Sequence, residues 1–419
     1  MSAEETRSAE ARTPSVLFIN RVYPPDDLAT GQLLAHLAEG LAAEGWRVTV
    51  LTSRSRPDSP AWEVRNGVGV ARVAGVAFSR SSHWRRALAY GSLYPIFGWK
   101  ALRLPRHDCV VTMTDPPLQL LLAPSLRWIK RARAVHWAQD LYPELAVELG
   151  VLRNGSWAAR LLTRLSTFAL RRHDVVVAVG SCMARRVRAR GVPGDRIKVI
   201  PNWAPFPIRS ATDDAVAAFR SARGWSRDEF VLMYSGNFGL AHPFEAILGA
   251  AAQLLARGAR FRLVFAGNGP RETWLREQAA ARGLTNVTFL PRQPLDQLPV
   301  MLAAADAHVA TMERAVVGLV VPSKVYGILA VGRPCLFIGP GDCEAAELVR
   351  RHGAGAVVEE ESGQALMRIL EEWSENPERF AAITERARAA AEAVGLEPAL
   401  RAFSALLSGE PGAHRGPES

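Results

Sequence analysis

The stretch VVGLVVPSKVYGILAVGRP, residues 316–334, runs from an apolar loop into a helix and then towards a strand. Pro322 suits a first helical turn, where its missing N–H would be unpaired in any case, and Ser323 and Lys324 follow inside that turn. A helix start offers unpaired N–H donors and roughly half a positive charge, so with a mobile cation beside it a phosphate or diphosphate is the natural ligand. Lys324 supplies that cation, and it is the only lysine in residues 205–419 of a chain that otherwise relies on arginine. A lone lysine at this place points to a compact ammonium in preference to a planar fork. The same periodicity also suits an ordinary helix that packs Val325, Ile328 and Leu329 into a core.

Around this stretch the second half alternates strand and helix. A strand over 230–234 opens into Ser235-Gly236-Asn237-Phe238-Gly239, a helix follows from about 243 to 256, and a strand over 262–266 opens into Gly267-Asn268-Gly269-Pro270. Strands near 286–290, 306–310, 334–338 and 355–358 complete the set, Arg292 follows the first of these, and helices from about 361 end the chain. Glycines at strand exits allow close phosphate approach. The first half repeats the pattern: a run over 16–19, a Pro-rich loop over 23–27, a helix from Thr30-Gly31 to about 44, and a strand over 47–52. Further strands are expected over 108–113, 134–138, 175–179 and 198–200, with helices over 116–131, 155–171 and 181–190. Strands separated by helices in this way imply parallel, doubly wound sheets, which bind ligands beyond the carboxyl ends of their strands. That places 20–31 and the polar run His136-Trp137-Ala138-Gln139-Asp140-Leu141-Tyr142-Pro143-Glu144 at site edges. No Gly-x-Gly-x-x-Gly follows the first strand, so a dinucleotide fingerprint is missing. Three prolines within 201–207 read as a stiff linker.

A length of 419 residues suits two domains, and 48% hydrophobic content with 22% charge suits a globular chain. The net charge of +10 is uneven: residues 1–204 carry 29 Lys+Arg against 16 Asp+Glu, and the rest 22 against 25. A basic half seeks an anionic surface. No nucleic-acid motif accompanies it, so a membrane surface or a lipid diphosphate is the expected partner and nucleic acid is not. Residues 78–106 mix arginines with Trp84, Tyr90, Tyr94, Phe97 and Trp99, a composition that fits either a headgroup layer or a core-facing helix. Cys109, Cys182, Cys335 and Cys343 share no metal-ligand spacing and read as reduced thiols. With no signal-like start and no membrane span, a cytoplasmic protein, at most peripheral on a membrane, is expected.

These motifs, in this order, resemble the retaining glycosyltransferases of family 4, with GT-B fold, and especially the WbuB-like enzymes of bacterial O-antigen and colanic-acid assembly. The likeness rests on 316–334, on Asp140-Leu141-Tyr142-Pro143-Glu144, on Pro201-Asn202, on the Gly236 loop and on Gly267-Asn268-Gly269-Pro270. It implies two doubly wound Rossmann-like α/β domains facing across a cleft, with a C-terminal helix crossing back. The expected boundaries are a disordered tail over 1–13, an acceptor-binding domain over 14–204, a nucleotide-sugar domain over 205–390, a crossover helix over 391–408 and a tail over 409–419. By resemblance Asp140, Glu144, His136 and Lys324 are the catalytic candidates. Gly31, Gly236, Asn237, Gly267, Asn268, Gly269, Arg292, Gly318, Pro322, Ser323 and Lys324 are the candidates for holding the donor. The chain departs from the family where two glutamates are usual, since Leu319 and Gly327 stand there, and where an arginine and a lysine usually hold the diphosphate, since Asn237 and His242 stand there. Histidine does not directly precede Asp140 either. The implied reaction moves a sugar from a nucleotide-sugar to a polyprenyl-diphosphate-linked acceptor. No Asp-x-Asp is present, so no metal or other cofactor is expected. A nucleotide-sugar 2-epimerase and a catalytically silent scaffold of a polysaccharide complex are the alternatives.

Overall fold

The computed structural model describes residues 13–26, 28–56, 58–74, 83–204, 211–239, 242, 244–359 and 363–409, without the side chains of 83–89. Both expected tails, the end of the 201–207 linker, the start of the 78–106 segment and the stretch around 361 thus lie wholly or partly outside the described residues. The chain divides into two compact units. The first takes in Met1–Val179, Val187–Ile200 and Leu400–Ser419; the second takes in Gly180–Arg186 and Pro201–Ala399.

The first unit contains β1 (Ser15–Ile19), α1 (Ala29–Ala43), β2 (Arg47–Ser53), β3 (Trp62–Arg65), β4 (Val68–Val73), α2 (His83–Arg103), β5 (Cys109–Thr112), α3 (Leu122–Lys130), β6 (Arg133–Ala138), α4 (Glu144–Glu148), α5 (Trp157–Leu170) and β7 (Val175–Ala178). Helix α6 (Ser181–Ala189) begins in the second unit, and β8 (Ile197–Val199) closes the first. Its sheet runs β3-β4-β2-β1-β5-β6-β7-β8, parallel except for the β3–β4 pair. Strands such as SVLFI, CVVT and VVVA are almost wholly apolar and buried throughout, because helices cover both faces of a parallel sheet. Strand order reverses between β1 and β5. Right-handed crossovers therefore put α1 on one face and α2, α3 and α5 on the other. Leu17, Ile19, Phe97, Val110 and Leu126 form the core beneath α2 and α3.

The second unit contains α7 (Asp213–Ser221), β9 (Phe230–Asn237), α8 (Phe244–Ala256), β10 (Phe261–Asn268), α9 (Glu272–Ala281), β11 (Val287–Leu290), α10 (Leu298–Ala303), β12 (Ala307–Thr311), α11 (Lys324–Ala330), β13 (Cys335–Ile338), α12 (Glu344–His352), β14 (Gly355–Val358), α13 (Gly363–Glu375) and α14 (Pro377–Ala393). Its parallel sheet runs β11-β10-β9-β12-β13-β14, reversing between β9 and β12. The expected pair of doubly wound Rossmann-like α/β units is therefore present. The last helix, α15 (Leu396–Ser408), returns to the first unit, where Phe403 packs against Trp137 at 4.8 Å and Leu400 fills the space beside Gly40. It starts five residues later than the expected 391, because α14 runs to Ala393 before the chain breaks at Val394-Gly395. Residues 116–131 are a short 3-10 turn over Gln119–Leu121 followed by α3. All four cysteines are buried and free.

Candidate functional site

In the second unit the strand reversal lies between β9 and β12, and Lys324 of the 316–334 stretch reaches the carboxyl end of β9. Helix α11 begins at Lys324, so Pro322 and Ser323 precede the helix instead of forming its first turn; Ser323 is its N-cap residue and makes no side-chain cap. Among the described residues no acceptor is found for the backbone N–H groups of Ser323 and Lys324, which remain available to an anion. The Lys324 ammonium lies 3.8 Å from the centroid of the Tyr234 ring and donates to its hydroxyl. That hydroxyl in turn donates to the carbonyl of Asn237 at 2.9 Å. Tyr234 is held by an edge-to-face cluster with Phe244 at 5.0 Å and by contacts with Phe238 and Phe265. Desolvation among these rings lowers the Lys324 pKa to about 7.

Gly236 has φ +133°, and a Cβ there would stand 2.6 Å from Lys324 Cε. Gly267, at φ +139°, would put a Cβ 2.0 Å from the Gly236 carbonyl oxygen. Gly269 meets the Phe238 backbone in the same way, and Phe238 N–H donates to Asn268 C=O at 2.8 Å. The two glycine loops thus form one layered backbone shelf under Lys324, with Asn237 and Asn268 side by side in register and exposed. His242 Nδ1 bonds Thr311 Oγ1 at 2.5 Å across the strand reversal, and burial pushes its pKa down to about 4, so it stands there as a neutral imidazole. Arg292 is exposed after β11. Gly318, at φ +74°, accommodates the Cys182 carbonyl, which a Cβ would approach to 2.8 Å, while Arg186 Nε donates to Val317 C=O. Its glycine is therefore accounted for by packing on residues 180–186 of the same unit. Leu319 is fully buried where the family usually has a glutamate.

In the first unit the reversal lies between β1 and β5. Arg21 and Asp115 clasp there through Nε–Oδ1 and Nη2–Oδ2 bonds of 2.7 Å each, with Arg21 N–H donating to Asp115 C=O. Sequence reading missed both residues; the signal was a charged residue two or three positions past a buried strand. Thr114 Oγ1 accepts from the N–H groups of Gln139 and Asp140 and so ties the β6 exit to the same place. Asp140 keeps part of its surface open to solvent. Enough protein surrounds its carboxyl that desolvation, reinforced by the charge of Asp115, raises its pKa to about 7. Glu144 is engaged by Arg190, which also bonds Ser166. His136 is buried under the sheet, with Nδ1 3.0 Å from Thr112 C=O and its ring 5.5 Å from that of His173. Desolvation, with the neighbouring His173, pushes its pKa down to about 3. Gly31 lies within α1, where a Cβ would press on Val22 C=O at 3.3 Å. The structure thus gathers Gly236, Asn237, Gly267, Asn268, Gly269, Ser323 and Lys324 in one place, and Asp140 with Arg21 and Asp115 in another.

Both halves of the chain match known glycosyltransferase families. Residues 30–203 match the family model "Glycosyl transferase 4-like domain", and residues 216–390 match "Glycosyl transferases group 1". The chain is 28% identical over 366 residues to a colanic acid biosynthesis glycosyl transferase, WcaI, of Escherichia coli K12, covering 82% of this chain and 88% of that one. It is 29% identical over 274 residues to a glycosyltransferase, WbjE, of Pseudomonas aeruginosa, covering 64% and 67%. Among solved structures, WaaG, a glycosyltransferase involved in lipopolysaccharide biosynthesis, superposes with a TM-score of 0.69 at 18% identity over 94% of this chain and 100% of that one. Anabaena HepE, solved with UDP and glucose, superposes at 0.70 and 17% over the same shares. Matched along both halves and built on two such units, the chain belongs to the GT-B glycosyltransferases.

Proposed function

We propose that this protein is a retaining family 4 glycosyltransferase that moves a sugar from a nucleotide-sugar onto a polyprenyl-diphosphate-linked acceptor in surface polysaccharide assembly. It would work in the cytoplasm, on the inner face of the membrane. The observation that carries the reading is the placement of one ammonium, Lys324, above the Gly236–Gly267 backbone shelf and beside the free N–H groups of Ser323 and Lys324. Breaking the sugar–phosphate bond leaves charge on the nucleotide diphosphate, and donors already in place stabilise that charge without a metal ion. In the first unit Asp140, with its raised pKa, is the group proposed to take the proton of the acceptor hydroxyl. Glu144, clasped by Arg190, is proposed to hold the loop that carries Asp140. The polysaccharide role is supported by relatives named for colanic acid and lipopolysaccharide biosynthesis. The donor class is supported by the neighbour solved with UDP and glucose.

Calorimetric titration of the full chain with UDP, GDP and TDP tests the donor site. At least one should bind, and Lys324→Ala should weaken that binding. If none of the three binds, the proposal fails. A panel of nucleotide-sugars with polyprenyl-diphosphate saccharides then identifies the sugar, and NMR of the product linkage decides between retention and inversion.

A further inference from the structure

Among the described residues, every exposed large hydrophobic side chain lies at or before position 199, and the second unit contributes none. Most of them sit on three helices. Trp99 and Leu102 project from α2 at 55% and 42% exposure, and Trp128 and Ile129 from α3 at 80% and 65%. Helix α5 contributes Trp157 at 78%, Leu161 at 46%, Leu165 at 37% and Phe168 at 52%. At 100° per residue these four α5 positions fall within one apolar stripe about 80° wide, with the exposed Arg160, Arg164 and Arg171 along one edge. Right-handed crossovers put all three helices on one face of the sheet. The opposite face, covered by α1 and α15, shows no such side chain on either helix.

The three helices themselves carry charge of a single sign. The sequences of α2, α3 and α5 contain no aspartate or glutamate and together carry eight Lys and Arg. Arg103 of α2 lies 3.5 Å from the Trp99 centroid, and Arg172, just past the end of α5, lies 3.5 Å from that of Phe168. Exposed tryptophans and leucines bordered by arginines, of which Arg127 pairs with Asp174 at 2.9 Å, match a headgroup layer, where rings enter the acyl boundary and guanidinium groups meet phosphates. A second copy of the chain fits poorly, because a twofold contact through this face would set arginines against arginines. The expected role of 78–106 is thereby divided. Phe97 and Leu93 are core, Tyr94 bonds the Pro117 carbonyl, and among the described side chains of α2 Trp99 and Leu102 are the large apolar ones that face out.

We propose that the α2–α3–α5 face of the first unit docks on a bilayer containing anionic phospholipid, with the α5 stripe as its principal apolar insertion. This rests on the lipid-linked acceptor proposed above and adds where the membrane lies. The inner side of α5 supports that arrangement. Ser166 Oγ donates to the Tyr142 carbonyl at 3.0 Å, so the helix that would enter the leaflet also holds the Asp140–Glu144 loop. A lipid-borne acceptor would then have to travel about one helix diameter, roughly 10 Å, to reach it.

The test is co-sedimentation of the full chain with phosphatidylcholine vesicles, with and without phosphatidylglycerol. Binding should require phosphatidylglycerol and weaken with salt. Arg160→Glu with Arg164→Glu should reduce it about thirtyfold or more, and Trp157→Ala with Phe168→Ala about tenfold or more. Neither pair should change the circular dichroism melt or nucleotide binding, so docking and donor chemistry are read separately. No sedimentation, sedimentation indifferent to phosphatidylglycerol, or sedimentation unchanged in both double variants overturns the proposal. So does a concentration-dependent dimer that Trp157→Ala dissolves, which would give the face to a second copy.

Discussion

The ammonium of Lys324 rests 3.8 Å from the ring centroid of Tyr234 and bonds its hydroxyl, in a setting that lowers the lysine pKa to about 7. At neutral pH the empty site therefore holds a mixture of charged and neutral lysine. An entering diphosphate favours the ammonium, so binding takes up a proton. Nucleotide affinity should be full below about pH 7 and fall as pH rises beyond it. The same shift has the opposite sign for the stability of the empty protein: from about pH 7 towards the lysine's ordinary 10.5 the unfolded chain binds more protons, so stability gains with pH. Calorimetry between pH 6 and 9 in buffers of different ionisation enthalpy reads the uptake directly. Lys324→Ala should remove it and lower turnover by about 10²-fold or more. A pH-independent nucleotide affinity would contradict this account of the site.

Gly267→Ala should be more damaging than a surface change and more damaging than Gly236→Ala. At Gly267 a Cβ meets backbone, 2.0 Å from the Gly236 oxygen, whereas at Gly236 it meets Lys324 Cε, part of a side chain that can swing away. The positive φ alone costs about 1–3 kcal/mol in either variant. Gly236→Ala should therefore keep most of its stability while losing nucleotide affinity through a displaced Lys324. Gly267→Ala should lose both. Urea titration beside nucleotide calorimetry separates the two; equal stability loss in the two variants would refute the layered shelf.

Asp140 should set the alkaline requirement of the reaction. A base must be deprotonated, and the carboxyl titrates at about 7, raised by desolvation and then by Asp115, so turnover should rise through pH 6 to 8. Asp140→Asn should cut turnover by about 10²–10⁴-fold with nucleotide affinity intact. Asp115→Asn removes a like charge and should move the rise to lower pH, while leaving Arg21 without its carboxylate. An unmoved profile in Asp115→Asn would show that the two carboxyls do not sense each other.

Strand and helix positions were legible because the buried strands are unbroken apolar runs bounded by turn residues, and both glycine loops sit directly after such runs. The start of α11 was misplaced by two residues: proline tolerates a first turn, but Pro322 here ends the preceding loop. Nothing local in the sequence couples Arg21 to Asp115, since they are 94 positions apart and meet only because β1 and β5 are neighbours. Tyr234 was hidden for the same reason. It reads as one more aromatic in a strand, and its place under Lys324 follows from where α11 lands. Gly318 read as a donor residue by resemblance, yet its conformation and its closeness to the Cys182 carbonyl give it a packing role that spacing could not reveal.

His136 and His173 make the protein acid-labile in a way that its carboxylates do not. Both rings are buried and stand 5.5 Å apart, and desolvation pushes their pKa values down to about 3 and about 4. In the unfolded chain both return to about 6.5. Between those limits the unfolded state binds more protons, so stability falls as pH drops below about 6.5 and keeps falling towards 4. Each histidine that must charge on unfolding contributes up to about 1.4 kcal/mol per pH unit in that window. His136 donates from Nδ1 to Thr112 C=O, so His136→Gln retains a donor of similar reach and removes the titrating ring. Urea midpoints of the parent protein should decline steeply from pH 7 to 5, and those of His136→Gln less so. Parallel declines in the two proteins would place the acid lability elsewhere.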